Sequence, residues 1–284
     1  METTGKIYQI TNGALEVDRS IKGKVDSENL CFYRFIGGNS SETEELITNL
    51  HSLKEERDLL IGIFRYPFRF EGKKRFNTAT TQYFRMKEIC DAVIYFHSDA
   101  LMEMIDSSTT IREANLTFSS IEEHTITLLK QIIEETGDMN IDFQDIKSFI
   151  NKHRGPLFVH TVEGESFDEP LKYLFSTPYL PEDFTDGKQL IINIGYTRGV
   201  DMEAFRQINL RLHDLFSKAD IFKIGSYFID EPGQRFKITL IVNGISDPVE
   251  APNDYKKLSR YKEFIRKWQR LTEKGKKRIE LLKS

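Results

Sequence analysis

The sequence is short of the features that mark metal centres, disulfide frameworks and membrane spans. Its 284 residues include only two cysteines, Cys31 and Cys90, which stand apart in apolar segments without a C-x-x-C pair or a neighbouring histidine. Such cysteines are typical of reduced thiols in a protein core. No apolar run is long enough to cross a bilayer, and the polar start METTGKIYQ lacks a signal-peptide pattern. These absences predict a cytoplasmic protein without a metal site.

Histidine is also sparse, and it stands in no catalytic arrangement. His153, His160 and His213 are separate in the sequence, and none has a serine or cysteine nearby that indicates a nucleophile. We therefore expect ordinary surface or core histidines.

Charge is distributed unevenly along the chain. The formal net charge is −4, yet the segment from Tyr255 to Ser284 holds 12 lysines and arginines against 3 glutamates. This segment therefore carries +9, and the rest of the chain carries −13. The pattern is that of an acidic body with a basic tail.

The tail has the periodicity of an amphipathic helix. Its apolar residues fall on one helical face with lysine and arginine around them: Leu258, Tyr261, Ile265, Trp268 and Leu271. Three interpretations stay open: packing on the acidic body, lying on an anionic membrane surface, or binding a protein partner. A nucleic-acid partner is not favoured, because no recognised binding module accompanies the charge.

Strands and helices alternate in the first hundred residues. Segments 30–36, 58–64 and 91–96 have the length and composition of buried strands, and helices are predicted between them at 42–53 and 73–89. Strand–helix–strand units imply a parallel sheet with right-handed crossovers.

Shorter strands are predicted on both sides of this α/β part. Strands at 6–10 and 14–18 flank Asn12-Gly13, a dipeptide that favours a tight hairpin turn. The second half alternates as well, with helices at 171–175 and 202–216 and strands at 189–194, 221–229 and 236–242. It predicts an α+β part with its own sheet.

The most regular helix is predicted from 119 to 137, between the two parts. Its apolar residues recur at steps of three and four, Ser119 or Ser120 can cap its start, and Gly137 stands where a C-cap is expected. A short polar loop follows and leads into a helix at 143–151. From the residues alone, the loop side chains are expected to cap that helix: Asn140, Asp142 and Asp145.

Residues 67–75, PFRFEGKKR, resemble the PFxFEGxxR segment of FtsZ, the tubulin-like GTPase of bacterial cell division. Four further segments resemble that family in the same order: DAVIYFHSDALMEMID, MNIDFQDIKSFI, DGKQLIINIGYTRGVDMEAF and FKITLIVNGI. The resemblance implies an α/β fold of the tubulin/FtsZ type. Its expected parts are a reduced, N-terminally truncated nucleotide-type α/β domain (1–118), a central helix (119–137), a C-terminal α+β domain with a mixed sheet (138–247) and an extra C-terminal helix in the tail (248–284).

The nucleotide-binding residues of the family are largely replaced. Its signature GGGTGTG or GGGTGSG falls on GGNSSET, where Gly37 and Gly38 remain and Glu42 enters the loop. A carboxylate at this position would repel a triphosphate. The family's guanine-stacking aromatic falls on Asn115, and the residue that reads the base edge falls near Ser119. The resemblance therefore implies a dismantled pocket.

Two polar residues of the family pocket are kept. Glu71 and Arg75 match residues that contact the nucleotide in FtsZ, although the asparagine of the IPND motif becomes Ser98. From the residues alone, Glu71 and Arg75 are expected to form a charge pair at a helix start. We accordingly expect no nucleotide cofactor and no enzymatic activity of the isolated chain.

The loop after the central helix matches the family fully. Asn140, Asp142 and Asp145 correspond to the NxDFADV loop, which in FtsZ filaments enters the GTP pocket of the next subunit and positions the attacking water. The resemblance implies a catalytic role only in trans. The leading hypothesis is a pseudo-GTPase that acts as a scaffold or regulator through protein contacts, with FtsZ-type filaments or another copy of itself as the partner.

Two alternatives stay open. The chain would be a polymer-forming GTPase if a remodelled pocket still bound GTP, or a membrane-surface adaptor if the basic tail lay free. Every interpretation places it in the bacterial cytoplasm, and the inner membrane face or the division site are further candidates.

Overall fold

The computed structural model describes residues 6–11, 14–18, 29–56, 58–134, 137–165 and 169–252. The chain divides into two compact units, 1–248 and 249–284. The predicted tail face lies outside the described residues, so its three interpretations stay predictions: Leu258, Tyr261, Ile265 and Trp268.

The described part of the first unit contains nine strands. They are β1 (Lys6–Thr11), β2 (Ala14–Asp18), β3 (Asn29–Ile36), β4 (Leu59–Tyr66), β5 (Ala92–His97), β6 (Pro156–Gly164), β7 (Gln189–Thr197), β8 (Ile221–Ile229) and β9 (Phe236–Asn243). They form one mixed sheet in the order β2-β1-β3-β4-β5-β6-β9-β7-β8.

Helices cover this sheet. They are α1 (Thr43–Glu56), α2 (Lys73–Ile89), α3 (Ser98–Met102), α4 (Ile111–Glu134), α5 (Phe143–His153), α6 (Glu169–Phe175) and α7 (Met202–Leu215). The predicted alternation of strands and helices is confirmed in both halves.

The N-terminal hairpin forms one edge of the sheet. Thr11 of β1 pairs with Ala14 of β2 across a two-residue connection, as predicted, and β1 also pairs in parallel with β3. Asn12 and Gly13 lie outside the described residues.

β6 joins the two halves of the sheet and was not predicted. Its residues Pro156 and Leu157 pair in parallel with Val93 and Ile94 of β5, and its whole length pairs antiparallel with β9. The sheet therefore runs unbroken from the α/β part into the α+β part. The signal for β6 was weak because the segment PLFVHTVEG places a histidine and a glutamate among its apolar residues.

The central helix α4 starts earlier than predicted. It begins at Ile111, and a start at Ser119 or Ser120 is wrong. Thr110 and Glu113 form a capping box, in which Glu113 N donates to Thr110 Oγ1 at 3.3 Å and Thr110 N donates to Glu113 Oε2 at 2.9 Å. The first two turns are mostly exposed and carry few apolar residues, so their periodicity was too weak to reveal them.

Two hydrophobic clusters hold the helices on the sheet. The first packs α4 and α5 on β3, β4 and β5, with members such as Phe32, Ile61, Ile94, Leu129 and Phe149. The second packs α7 on β7 and β9, with members such as Ile192, Ile208, Leu212 and Leu240. On α4 and α7 the buried apolar positions include Leu128, Leu129, Ile132, Ile208 and Leu212.

A buried group of charges ties α4 to the carboxyl ends of β3 and β4. Glu122 of α4 accepts from Arg34 Nη2 at 2.7 Å and lies 3.2 Å from Arg65 Nε, and all three side chains are almost fully buried. Arg34 also reaches the exposed Glu123 and the carbonyl of Ser119. Burial lowers the pKa of Arg65, and the charge of Glu122 opposes that shift. Glu122 is therefore the buried carboxylate that the two guanidinium groups share.

Removing this carboxylate should destabilise the protein strongly. Glu122→Ala leaves two guanidinium groups without their shared partner, and breaking a buried ion pair in this way costs about 3–5 kcal/mol of unfolding free energy. Glu203→Ala of α7 is the matched control, because Glu203 and its partner Arg206 are both exposed and exposed pairs contribute little to stability. Urea unfolding of both variants checks the difference, and equal losses would contradict the account.

Candidate functional site

The loop after β3, which the resemblance matched to the phosphate-binding signature, uses its backbone N–H groups internally. Gly37 N donates to the Arg65 carbonyl at 2.9 Å, and Gly38 N donates to Gln82 Oε1 at 2.8 Å. Asn39 binds the next part of the loop, since its side chain accepts from Ser41 N at 3.2 Å. The N–H groups of Gly37, Gly38 and Ser41 are thus already engaged and are not available to a phosphate.

Gln82 of α2 fills the centre of this loop with its side-chain amide. The residue is completely buried, and its Nε2 donates to the Asn39 carbonyl at 2.7 Å and to Thr43 Oγ1 at 2.9 Å. A carboxamide both donates and accepts, whereas a phosphate presents acceptor oxygens. The Asn39 carbonyl would face such oxygens unfavourably. The loop is therefore shaped around an internal amide.

The two retained glycines have packing reasons. A Cβ on Gly37 would lie 2.4 Å from Cζ of Phe64, and one on Gly38 would lie 2.5 Å from Cγ of Arg75. Gly38 also has a φ of +114°, a conformation that residues with side chains rarely adopt. Close packing therefore accounts for both glycines without a bound nucleotide.

Glu71 and Arg75 form the predicted charge pair at the start of α2. Arg75 Nε lies 3.0 Å from Glu71 Oε2, and the other carboxylate oxygen accepts from Phe68 N at 2.9 Å. Ser98 is buried and its hydroxyl donates to the Tyr66 carbonyl at 2.6 Å. These contacts stabilise the local turns.

The base-contacting positions of the resemblance are also changed. Asn115 is exposed on α4, and the Ser119 carbonyl accepts from Arg34 Nη2 at 3.3 Å. The side of α4 that the resemblance assigned to base recognition thus faces the buried charges of Arg34, Arg65 and Glu122.

The loop after α4 caps α5, as the residues alone predicted. Asp142 accepts from Asp145 N at 2.8 Å, and Asp145 accepts from Asp142 N at 3.3 Å, which makes a reciprocal capping box. Asn140 accepts from Gly137 N at 2.6 Å. Asn140 and Asp142 are nevertheless exposed, so they remain accessible to a partner.

The same loop is fastened to β8, the edge strand of the sheet. Met139 and Ser226 exchange two backbone hydrogen bonds at 2.9 and 3.3 Å. The approach is so close that a Cβ on Gly137 would meet the Ser226 carbonyl oxygen at 1.9 Å. Covering an edge strand in this way blocks unwanted strand pairing.

Side chains complete this attachment. Asp138 accepts a hydrogen bond from the Tyr196 hydroxyl, and Asp145 forms an ion pair with Lys223. Neither Tyr196 nor Lys223 was singled out from the sequence, because contacts between residues so far apart have no local signal. The loop therefore has a fixed conformation before any partner binds.

No protein-family model matches the chain, but solved structures do. FtsZ from M. jannaschii is similar with a TM-score of 0.63 and 19% sequence identity, and the match covers 78% of this chain and 65% of the FtsZ chain. CetZ from Methanosaeta thermophila has a TM-score of 0.61 and 15% identity, with 89% of this chain and 72% of the CetZ chain covered. TubZ from Bacillus thuringiensis serovar israelensis has a TM-score of 0.59 and 12% identity, with 90% of this chain and 74% of the TubZ chain covered. The chain has the FtsZ/tubulin-like fold. The predicted fold class is confirmed, and the chain spans slightly less than two thirds of the FtsZ structure's length.

Within this FtsZ/tubulin-like fold, the two candidate loops lie at opposite ends of α4. The loop after β3 lies toward its first half, where Arg34 contacts Ser119, and the Asn140–Asp145 loop follows its last turn. The part of α4 from Ser119 to its last residue, Glu134, is roughly 22 Å long. The loops therefore cannot form one site within a single copy.

Metal and membrane sites are not found in the described part of the FtsZ/tubulin-like fold. No group of three or more His, Cys, Asp or Glu side chains there is arranged to hold a metal ion. None of the helices described is long and apolar enough to cross a bilayer.

His160 has a structural role in the α+β part. Tyr179 OH lies 3.0 Å from its Nδ1 and Thr177 Oγ1 lies 3.0 Å from its Nε2. Thr177 also donates to the Tyr173 carbonyl, so Nε2 of His160 is the ring donor and Tyr179 donates to Nδ1. Burial, with a smaller contribution from His124, lowers the pKa of His160 to about 4. The residue stays neutral and joins α6 and the segment after it to β6.

This histidine should make stability depend on pH. Its pKa is lower in the folded state than in the unfolded chain, so the unfolded state binds more protons between pH 6.5 and 4, and stability falls as the pH is lowered through that window. The loss is on the order of 3 kcal/mol. Urea unfolding of wild type and His160→Gln at several pH values measures it, and parallel pH profiles would contradict the assignment.

Proposed function

We propose that this chain is a nucleotide-independent FtsZ/tubulin-like protein that acts as a scaffold or regulator through protein contacts. The observation that carries the proposal is the carboxamide of Gln82, which occupies the loop that matches the family's phosphate-binding signature. The Gln82 side chain takes the place of a ligand in this loop. Binding of GTP there would first require the three hydrogen bonds of the Gln82 carboxamide to break.

The electrostatics of this loop support the same conclusion. Glu42 lies in the loop region, and Glu44 and Glu45 follow in the first turn of α1. The Glu42 carboxylate is held by Asn39, whose Nδ2 donates to Glu42 Oε1 at 2.7 Å. A negative triphosphate would meet this negative surface in addition to the inward-facing carbonyl of Asn39.

The loop after α4 is the docking surface in this proposal. Its backbone is fixed to β8, while Asn140 and Asp142 are exposed. A rigid loop binds a partner without a large ordering cost. Its resemblance to the FtsZ loop favours the GTP-bearing end of an FtsZ-type filament, or another copy of this chain, as the partner.

Self-association has independent support from the shared fold. A TubZ structure of this fold is described as forming protofilaments. The membrane-adaptor alternative depends on the tail, which lies outside the described residues, so it stays a prediction of the sequence. The remodelled-GTPase alternative requires Gln82 to leave its position.

The docking role can be tested on the GTP turnover of a purified FtsZ. We expect the chain alone to release no phosphate from GTP, and we expect its addition to change the phosphate-release rate of FtsZ. Asp142→Asn should remove most of that change, because asparagine keeps the helix cap but loses the carboxylate.

Asp230→Asn is the matched control for this assay. Asp230 is an exposed carboxylate in the turn between β8 and β9 and pairs only with Arg198 among the described residues. Its variant should retain the effect on FtsZ. An effect that is absent in wild type, or that survives Asp142→Asn, would overturn the docking role.

A further inference from the structure

An apolar strip emerges at the end of the molecule where α4 begins. It consists of Ile111, Ala114 and Phe118 of α4 and of Phe68 and Phe70 from the turn after β4. Ile111 is 84% exposed and Phe70 is 76% exposed, while Phe118 is buried. The two ends of the strip therefore project from a buried middle.

Ring contacts join the aromatic members of the strip. The rings of Phe68 and Phe70 are stacked with centroids 4.8 Å apart, and Phe68 lies 6.1 Å from Phe118. Ile111, Ala114 and Phe118 are spaced by three and four residues, so they lie on one face of the helix. Its two exposed members, Ile111 and Phe70, are large apolar side chains of the kind found at interaction surfaces.

The Phe70 end of the strip is basic. Lys73 and Lys74 begin α2 two residues after the turn, and both are exposed without an ion pair to any residue that the structure describes. The other basic residues nearby are paired with carboxylates: Arg69 with Asp99, and Arg75 with Glu71. The net charge at this end is therefore +2.

The Ile111 end is acidic. Glu103, Asp106 and Glu113 are close to it in the sequence, and Arg112 is the only cation among residues 98–118. Hydrogen bonds from Ser108 and Thr110 lower the pKa of Asp106 and of Glu113 respectively, so both carboxylates stay ionised at neutral pH. The net charge of these four residues is −2.

We propose that a second copy of this chain covers the strip, related by a two-fold axis. The antiparallel arrangement places the basic Phe70 end of each copy against the acidic Ile111 end of the other. A surface with opposite charges at its two ends is complementary to itself in this orientation, as a closed two-fold interface requires. An anionic lipid surface would instead be repelled by the acidic end.

This dimer would be bivalent, a consequence that rests on the proposed function. The strip lies at the start of α4 and the Asn140–Asp145 loop follows its other end. Two copies joined through their strips would direct their loops away from each other. One dimer could then engage two partner molecules, as a scaffold must.

Sedimentation equilibrium of the full chain tests the interface without any partner. We expect the wild type to be a dimer at micromolar concentration. At the same concentration, the variants Ile111→Asp and Phe70→Asp should be monomers. Both positions are exposed, so both variants should keep the circular dichroism of the wild type. Met202→Asp is the control, because Met202 is 79% exposed on α7 and should remain dimeric.

Charge reversal tests the antiparallel arrangement. Lys73→Glu with Lys74→Glu should dissociate the dimer, and adding Glu103→Lys to the same chain should partly restore it. A monomeric wild type, a dimer that survives Ile111→Asp and Phe70→Asp, or absence of the rescue would each overturn the proposal. Because only the mass of the chain is measured, failure of the FtsZ assay would not affect this result.

Discussion

The carboxylate of Glu122 is the charge on which the arrangement of this molecule depends. It lies between the guanidinium groups of Arg34 and Arg65, at the carboxyl ends of two neighbouring strands. Removing any one of the three would leave a buried charge without its ion-pair partner in a medium of low polarity. This group fixes the position of α4 against the sheet. The first two turns of α4 precede this anchor, and the loop that contacts β8 follows the helix.

Internal contacts replace external ligands at both ends of α4. At one end, the side chain of Gln82 satisfies the loop after β3, and Arg34 occupies the side of Ser119 that the resemblance assigned to base recognition. At the other end, Asp142 and Asp145 cap α5, and β8 holds the backbone of Met139. The proposed protein contacts follow from this difference: one loop is closed by its own chain, and the other is fixed and exposed.

Much of this fold could be predicted from the sequence, because its signals are local. Apolar segments of strand length, the Asn12-Gly13 hairpin and the periodicity of α2 and α7 each report on their own neighbourhood. The start of α4 was missed because its first two turns are solvated, and only the Thr110–Glu113 capping box marked it. β6 was missed because its half-buried face carries polar residues.

The candidate site was less predictable, because its decisive contacts join distant residues. The sequence showed that the phosphate-binding signature was degraded, but nothing near Gln82 indicated that its side chain, 43 residues after Asn39, would close the loop. The pairing of Asp145 with Lys223 is equally remote in sequence. The capping role of Asp142 was readable from spacing, whereas its proposed action on a partner rests on the resemblance.

Titration calorimetry of the purified chain with GTP and GDP in the presence of Mg²⁺ tests the central claim most directly. The account predicts no saturable heat, because the loop after β3 is already filled by Gln82 and lined by Glu42 and the Asn39 carbonyl. A nucleotide-binding FtsZ measured in the same buffer controls for the conditions. Saturable binding of either nucleotide would contradict the account and would identify Gly37, Gly38 and Arg75 as parts of a working pocket.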